Sequence, residues 1–329
     1  MPAGPTPSDV HVDAILTNIS VAYLMDTTTF ISQAVFPEIP VSKQSDKYYK
    51  YDKGDWFRDE AQKRAPSSES AGSGYRVATD NYSCDVYAFH KDVDDQTRAN
   101  ADTPINLDLD ASSFVANRML MRLERDWAAS CFTTGVWATD LTGVAGAPAA
   151  GQFKQWNDAA STPVTDMEDA KRTVLVNTGF MPNTLVLGYD VYRFLKQHPS
   201  IYERLKHTSS ENITREILAR FFEVERLFVA QSVWNAGTPE PDAAGEDIMG
   251  FVFGKQAWLG YVAPNPGVLQ PSAGYRFSWT GVSDGLGQTI GTTRFRIPAK
   301  RTDRVESQMA WDFKVVASDL GVFFNAAVL

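Results

Sequence analysis

The sequence predicts an α+β protein, on three observations. Aromatic and β-branched residues alternate with polar ones in "KYYKYDKGDWF" and again in "YRVATDNYSCDVYAFH", the period-two pattern of strands. From Thr103 to Thr134 apolar residues recur instead every fourth position, the pattern of one long helix. From Phe251 onward the chain returns to short strand-like runs broken by glycine and proline.

Residues 1–47 read as an N-terminal arm. "AILTNISVAYLM" predicts a short helix, while the two prolines of "VFPEIPVSKQ" fix φ, remove donors and keep that stretch extended. An arm of this kind needs a surface to lie on. Residues 48–95 read as a two-stranded extended loop whose limbs, ~10 residues each at ~3.3 Å per residue, would project ~30 Å. Its middle, Arg64 to Gly74, is Ser, Gly, Ala and charge with almost nothing to bury. A lone ribbon is marginal in water, so this one is expected to pack on its own body or on another chain.

The long helix has Thr103 as a cap and Pro104 at its first position. Val115, Met119, Leu123, Trp127 and Cys131 line one stripe, with Phe114, Leu120 and Ala128 beside it. Arg118, Arg122 and Arg125 face elsewhere. At ~30 residues the helix would be ~45 Å long, a structural spine whose apolar stripe is core, not a cofactor box. A Gly/Ala-rich connection follows, "GVWATDLTGVAGAPAAGQFKQWNDAAST". A second unit then opens at "PVTDMEDAKRTVLVNTG", where Thr165 and Glu168 predict a capping box. "NTLVLG" reads as a buried strand and "YDVYRFLKQHP" as a helix broken at Pro199, followed by "SIYERLKH". "NITREILARFF" is a further helix running into the strand "RLFVAQSVWNAG". The closing "RVESQMAWDFKVVASDLGVFFNAAVL" alternates like sheet strands and ends on apolar residues, so the terminus is expected to be buried.

Composition narrows the function. With 329 residues, 43% hydrophobic and 22% charged, the chain is globular and long enough to bury a large core. No stretch approaches the ~20 apolar residues needed to span a bilayer. "MPAGPTPSDVHVD" is acidic and proline-rich where a secretory signal would be basic and then apolar, so a cytoplasmic protein is expected, and the sequons at Asn18, Asn81 and Asn212 read as chance matches. Two cysteines, Cys84 and Cys131, are too few for a zinc site or a disulfide framework and read as buried thiols. A net charge of −9 argues against a broad face for gripping nucleic acid, though not against a protein that encloses it.

Candidate chemistry mostly dissolves on inspection. "HKDVDD", His90 to Asp95, is the densest acidic cluster, but without the spacing of a calcium loop it reads as a solvated turn. "GLGQTIG" is one residue off a dinucleotide fingerprint and sits between strand-like runs, where a phosphate would find no helix N-terminus; it reads as a hairpin loop. "FGKQ" lacks the rest of a P-loop. His11, His90, His198 and His207 have no metalloprotease spacing, and His198, before a proline, reads as a helix cap. No nucleophile elbow is present. No catalytic, cofactor-binding or metal-binding residue is therefore nominated.

The order of these parts resembles the major capsid proteins of tailed bacteriophages, which share the Hong Kong 97-type fold. The resemblance is carried by "VFPEIPVSKQSDKYYKY", "DWFRDEAQKRAP" with the glycine-serine tip and "YRV", and "CDVYAFHKDVDDQTRAN" leading into "RLERDWAAS". It continues through "PNTLVLGYDVYRFLKQHPSIYERLK" and closes on "VESQMAWDFKVVASDLGVFFNAAV". It implies an N-terminal arm (1–47), an extended loop reaching over a neighbouring subunit (48–95), and a peripheral domain (96–180) with its spine helix at 103–134. An axial domain (181–282) and a return to the peripheral sheet (283–329) would follow. It further implies assembly into pentamers and hexamers of an icosahedral shell around double-stranded DNA, synthesis in the host cytoplasm, a portal, and a separate scaffolding or decoration protein. Glu60, Lys63, Arg64 and Glu69 at the loop tip are the expected inter-subunit contacts. In the family's type member a loop lysine and an asparagine form an isopeptide bond; Lys63 lies near the corresponding place, but no partner is identifiable and no such bond is expected. Alternatives are the shell of an encapsulin-like bacterial compartment, a tail-tube protein and a cytosolic enzyme. The long arm argues against the first and the spine helix against the second. The third needs a pocket of convergent ionisable groups.

Overall fold

The computed structural model describes residues 25–101, 106–205, 213–237, 247–267, 269–282 and 291–329. The arm's apolar segment up to Leu24, the Thr103–Pro104 cap, the glycine loop 285–290, His11 and His207 lie outside them.

From Met25 the chain makes a single turn capped by Asp26, then α1 (Ser32–Val35) and β1 (Glu38–Val41). The proline-bearing stretch is extended as predicted, and it lies parallel to β12 (Gly274–Trp279) as an edge strand, where a missing N–H does least harm. β2 (Ser45–Tyr51), α2 (Lys53–Trp56) and β3 (Val77–Ser83) make the ribbon. β4 (Asp85–Asp94), α3 (Asp95–Asn100) and the long α4 (Leu107–Cys131) follow. Next come β5 (Thr139–Val144), β6 (Gln152–Lys154), α5 (Pro163–Thr178), β7 (Thr184–Gly188), α6 (Tyr189–Gln197), α7 (Pro199–Leu205) and α8 (Arg215–Phe221). β8 (Arg226–Ala230), β9 (Val233–Asn235), β10 (Met249–Phe251), β11 (Ala257–Gly260) and β12 (Gly274–Trp279) lead to β13 (Gly291–Ile297), β14 (Thr302–Val315) and β15 (Gly321–Asn325).

Two main sheets result. In the first, β14 is the axis: β4 pairs along one edge, and β13 and β12 share the other, with β1 outside β12. The second runs β6-β5-β15-β11-β7-β8. α4 lies on the first sheet with Val115, Met119, Leu123, Trp127 and Cys131 all buried, as its period predicts. One continuous core joins the sheets: Trp127 packs on Phe253, and Phe132 meets Phe323 edge-on at 5.3 Å. The arm enters this core through Phe36, which meets Trp127 and Trp258 edge-on at 5.7 and 5.9 Å. Only glycine fits opposite it, since a Cβ on Gly274 would stand 2.5 Å from the Phe36 ring. The C-terminal Ala327 and Val328 are buried as expected, but the last residue, Leu329, is exposed.

Several expectations are corrected. α4 is 25 residues, about 37 Å, and its cap is Asn106, whose Oδ1 accepts from Leu109 N at 3.2 Å. α5 begins at Pro163 after Thr162, so Thr165 sits inside the first turn and the Thr165–Glu168 capping box does not form. The Gly/Ala-rich connection contains β5 and β6, whose small residues carry too little alternation to announce a strand. Within 283–329, β14 joins the spine-helix sheet but β15 pairs with β11 and β5 in the other one. β12, assigned to the 181–282 unit, joins the spine-helix sheet, and β5–β6, assigned to 96–180, join the second. The ribbon's ladder covers 45–83 rather than 48–95, in strands of seven residues or ~23 Å, because β4 leaves it for the body sheet.

Candidate functional site

The sequence-nominated chemistry is absorbed by structure. His90 to Asp95 is the end of β4 and the start of α3, not a solvated turn, because its carboxylates are spoken for. Arg304 holds Asp92 through two hydrogen bonds of 2.7 and 2.9 Å. Asp94 caps α3, accepting from Gln96 N at 2.7 Å, and Arg296 grips Asp95 at 2.6 and 2.5 Å. Among the described residues no group of three His, Cys, Asp or Glu is placed to hold a metal. His198 caps the C-terminus of α6, buried, with its ring nitrogens 3.0 Å from Ser161 Oγ and 2.7 Å from Ser200 Oγ. Cys84 and Cys131 are buried free thiols, and desolvation pushes both up to about 12.

What remains is surface, and the ribbon dominates it. Its base is firmly seated. Tyr82 stacks on Phe277 at 4.6 Å and 10°, and Tyr48 stacks on the same ring at 5.6 Å. Ser83 N donates to Asp312 Oδ2 at 2.9 Å, and Gln44 O accepts from Cys84 N at 2.8 Å. Burial and the hydrogen bond to Asp80 raise the Tyr48 phenol well above its ordinary range.

Its far end is different. Tyr49, Trp56, Phe57 and Tyr75 are 71, 52, 64 and 61% exposed, large rings left in solvent. Of the two surfaces expected for the ribbon, its own body or another chain, this end lies back along its own body. Lys53 pairs with Asp319, and Phe57 ring atoms come to 3.4 Å of where a Cβ on Gly179 would sit. An open cleft of about 480 Å³ separates the ribbon from Ala317–Asp319, walled by Lys50, Asp52 and Arg76 on the ribbon side.

Glu60, Lys63, Arg64 and Glu69 are all exposed on the tip, and among the described residues none of the four pairs with another. Glu60 lies 3.8 Å from Arg58, and Arg64 Nε donates to Ser68 O at 2.6 Å, closing a small turn that carries Ser67 at φ 62°.

Three charged sites went unnoticed in the sequence. Glu124 is fully buried on α4 and accepts from Ile31 N (3.0 Å) and Ser32 N (2.9 Å) of the arm and from Ser232 Oγ (3.2 Å). It stands between Leu120 and Trp127 on the apolar face, and an acid at such a position is a signal that the pattern could have yielded. Arg276 of β12 is buried and pairs with Glu38 of β1 at 2.5 Å. Asp303 gathers Arg98 (2.7 Å), Arg294 (2.6 Å) and Arg296 (3.2 Å), which hold its carboxyl far below the usual carboxylate range. Arg276–Glu38 and Arg98–Asp303 link residues far apart in sequence and leave no local trace, whereas Arg294 and Arg296 reach Asp303 across the β13–β14 hairpin.

Comparison with known proteins gives this architecture a context. A phage-related protein from Bordetella bronchiseptica RB50 superposes with a TM-score of 0.68 at 23% identity, covering 92% of this chain and 94% of that one. The capsid of cyanophage P-SCSP1u superposes at 0.61 with 11% identity, over 98% and 95% of the two chains. The fold is that of phage capsid proteins. By sequence the chain is 26% identical over 277 residues to the major capsid protein of Burkholderia phage BcepMu, covering 80% of this chain and 82% of the relative. It is also 26% identical over 239 residues to the major capsid protein of Pseudomonas phage JBD67, covering 69% and 71%. No protein-family model matches the chain.

Proposed function

We propose that this chain is a major capsid protein, a structural subunit that assembles with copies of itself into the closed head shell of a phage. The observation that carries the reading is a capsid fold matched along nearly the whole chain, joined to a ribbon that leaves four large rings in solvent. Exposed apolar surface of this kind marks an interaction face. The natural occupant in a shell is the next copy of the same chain, with the ribbon as extended loop, α4 as spine helix, and the sheet built on β7 and β11 as the axial unit around the shell's symmetry axes. Several moderate interfaces per subunit make each contact weak enough to anneal while the closed lattice is strong. The role is non-enzymatic, and the tip residues Glu60, Lys63, Arg64 and Glu69 set register between copies more than they add affinity. The net charge of −9 suits a wall that encloses DNA without holding it. Synthesis in the host cytoplasm, a portal and a separate scaffolding protein complete the proposal.

The test is to express the full chain, alone and with a scaffold, and to image the product by negative stain. Closed shells are expected. Monodisperse small particles under both conditions would refute the reading, and shells purified with a cargo enzyme inside would indicate a bacterial compartment instead. On a denaturing gel the shell should run as single subunits; a ladder of covalent multimers would show that Lys63 or another lysine is cross-linked after all.

A further inference from the structure

The ribbon's ladder ends at Tyr51 opposite Val77, yet its two limbs stay together beyond that point. Asp52 N donates to Arg76 O at 3.4 Å, one step past the last pair. Arg76 then turns its side chain back across the ribbon. Its backbone N–H and its Nε both donate to Asp55 Oδ2 at 2.9 Å, and Nη2 reaches Asp55 Oδ1 at 3.1 Å and Asp52 Oδ2 at 2.5 Å. Arg58 also stands 3.7 Å from Asp55, at the Oδ1 that Arg76 Nη2 reaches. The Asp55 side chain is 6% exposed although the Arg76 side chain is 70% exposed, so the arginine covers the carboxylate it grips.

The same few residues order the rings. Asp52 accepts from Gly54 N at 2.9 Å and caps α2, which carries Trp56. Trp56 packs against Tyr75 at 5.4 Å and Tyr51 at 6.1 Å, and Tyr51 meets Tyr75 at 6.0 Å, closing a triangle. Tyr75 is the neighbour of Arg76 in the chain. One side chain therefore ties the first limb, the second limb and the aromatic triangle at a single point. The segment 58–74, which has no ladder of its own, leaves and re-enters through this closed neck.

We infer that Arg76 is a positioning residue for assembly: its fork on Asp55 and Asp52 closes the neck of the loop and presents the Tyr51–Trp56–Tyr75 triangle in one arrangement to a neighbouring copy. The inference rests on the proposed shell function for its partner, but not for the clasp itself. A guanidinium bonded along its planar edge fixes direction as well as distance, which a point charge does not. Fixing the neck in advance removes the ordering cost from each contact when a neighbour arrives. Nothing in the body sheet depends on the clasp, because among the described residues every partner of Arg76 and Asp55 lies within the ribbon.

The experiment compares full-length wild type with Arg76→Ala, Arg76→Lys and Asp55→Ala. In the unassembled subunit, hydrogen exchange of the peptides spanning 51–58 and 75–80 should quicken about tenfold in Arg76→Ala and Asp55→Ala, while exchange elsewhere and the cooperative melt stay as in wild type. Shell formation followed by light scattering should slow by about tenfold or more in both, since a loss at one contact is repeated at every copy in the lattice. Arg76→Lys, which keeps the charge without the fork, should recover part of the rate but not all of it. Unchanged exchange in Arg76→Ala would show that no clasp exists. Faster exchange with a wild-type assembly rate would show a clasp without the positioning role, and loss of the body's melt in either alanine variant would refute the claim that it is local. A wild type that never forms shells would overturn the proposed function, while the exchange measurements would still judge the clasp.

Discussion

Glu124→Gln keeps the shape of the buried side chain that joins the arm to the spine helix and removes its charge. Wild type aims three donors at the carboxylate, two arm amides and the Ser232 hydroxyl. A glutamine offers one carbonyl oxygen, so one arm amide faces an NH₂ group, and an unmet buried donor costs about 1–3 kcal/mol. The opposing effect is desolvation: burial, its largest influence, raises the Glu124 carboxyl above its ordinary 4.5, against which its hydrogen bonds pull only partly. A carboxyl whose folded value is raised contributes stability that is complete below the unfolded value and is lost as pH rises through the folded one. One proton is involved, so within that window the difference between wild type and variant changes by at most about 1.4 kcal/mol per pH unit. Relative to the variant, wild type should therefore stand highest near pH 4.5, where burial keeps its carboxyl in the neutral acid form, and should lose ground as the pH rises toward neutrality and a charge must be buried. Chemical unfolding of the unassembled subunit, in steps from about pH 4.5 to about pH 8 for both proteins, measures this directly. Parallel stability curves across the range would mean that Glu124 titrates like an exposed carboxylate, and the account of the junction would be wrong.

Phe277→Leu keeps an apolar side chain under the ribbon but removes the ring on which Tyr48 and Tyr82 stack; at about 0.5–1.5 kcal/mol for each lost pair, β2–β3 should open more readily by about 1–3 kcal/mol, seen as faster hydrogen exchange of Lys47 to Tyr82, and unchanged exchange would contradict the stacking account. Cys84 and Cys131, pushed up to about 12 by burial, should be silent to a thiol reagent in the folded subunit and react only on unfolding; prompt reaction of either at neutral pH would place it at the surface. Asp303→Asn strips three arginines of a shared partner and should lower the melting temperature at neutral pH. Because the Asp303 carboxyl is depressed, wild type holds its advantage above the ordinary carboxylate range and loses it only in strong acid, so a variant that matches wild type at pH 7 would sink the claim.

The spine helix, the buried strand "TLVLG" and the extended proline stretch were legible because each is set by a local rule: fourfold recurrence, an unbroken apolar run, and fixed φ. β5 and β6 were not, since "TDLTGV" becomes a strand through β15, some 180 residues later, and "QFK" only by pairing with β5 in turn. The cap at Asn106 went to Thr103 for a similar reason: both residue types cap well, and only the packing of α4 on β14 decides where the helix begins. At the ribbon, composition correctly marked a bare tip, but the return of its far end to Asp319 and Gly179 joins positions with no common pattern.

That return has an energetic consequence for the proposed shell. The base of the ribbon is held to the body by buried stacking on Phe277 and by a hydrogen bond to Asp312, and it stays with its own subunit. The far end is held to the body through Lys53–Asp319, with both side chains partly in solvent, and by a ring laid on a glycine. An exposed ion pair of this sort contributes no more than about 1 kcal/mol. Burying even one of Tyr49, Trp56 or Phe57 against a neighbouring copy returns about 1.5–3 kcal/mol, so a neighbour outbids the body for the far end while leaving the base in place. Lys53→Ala should accordingly leave assembly intact or hasten it, whereas Trp56→Ala, which removes what the neighbour would gain, should slow it. Light scattering of the two variants side by side separates the cases, and a slower Lys53→Ala would mean that the contact with Asp319 belongs to the assembled state.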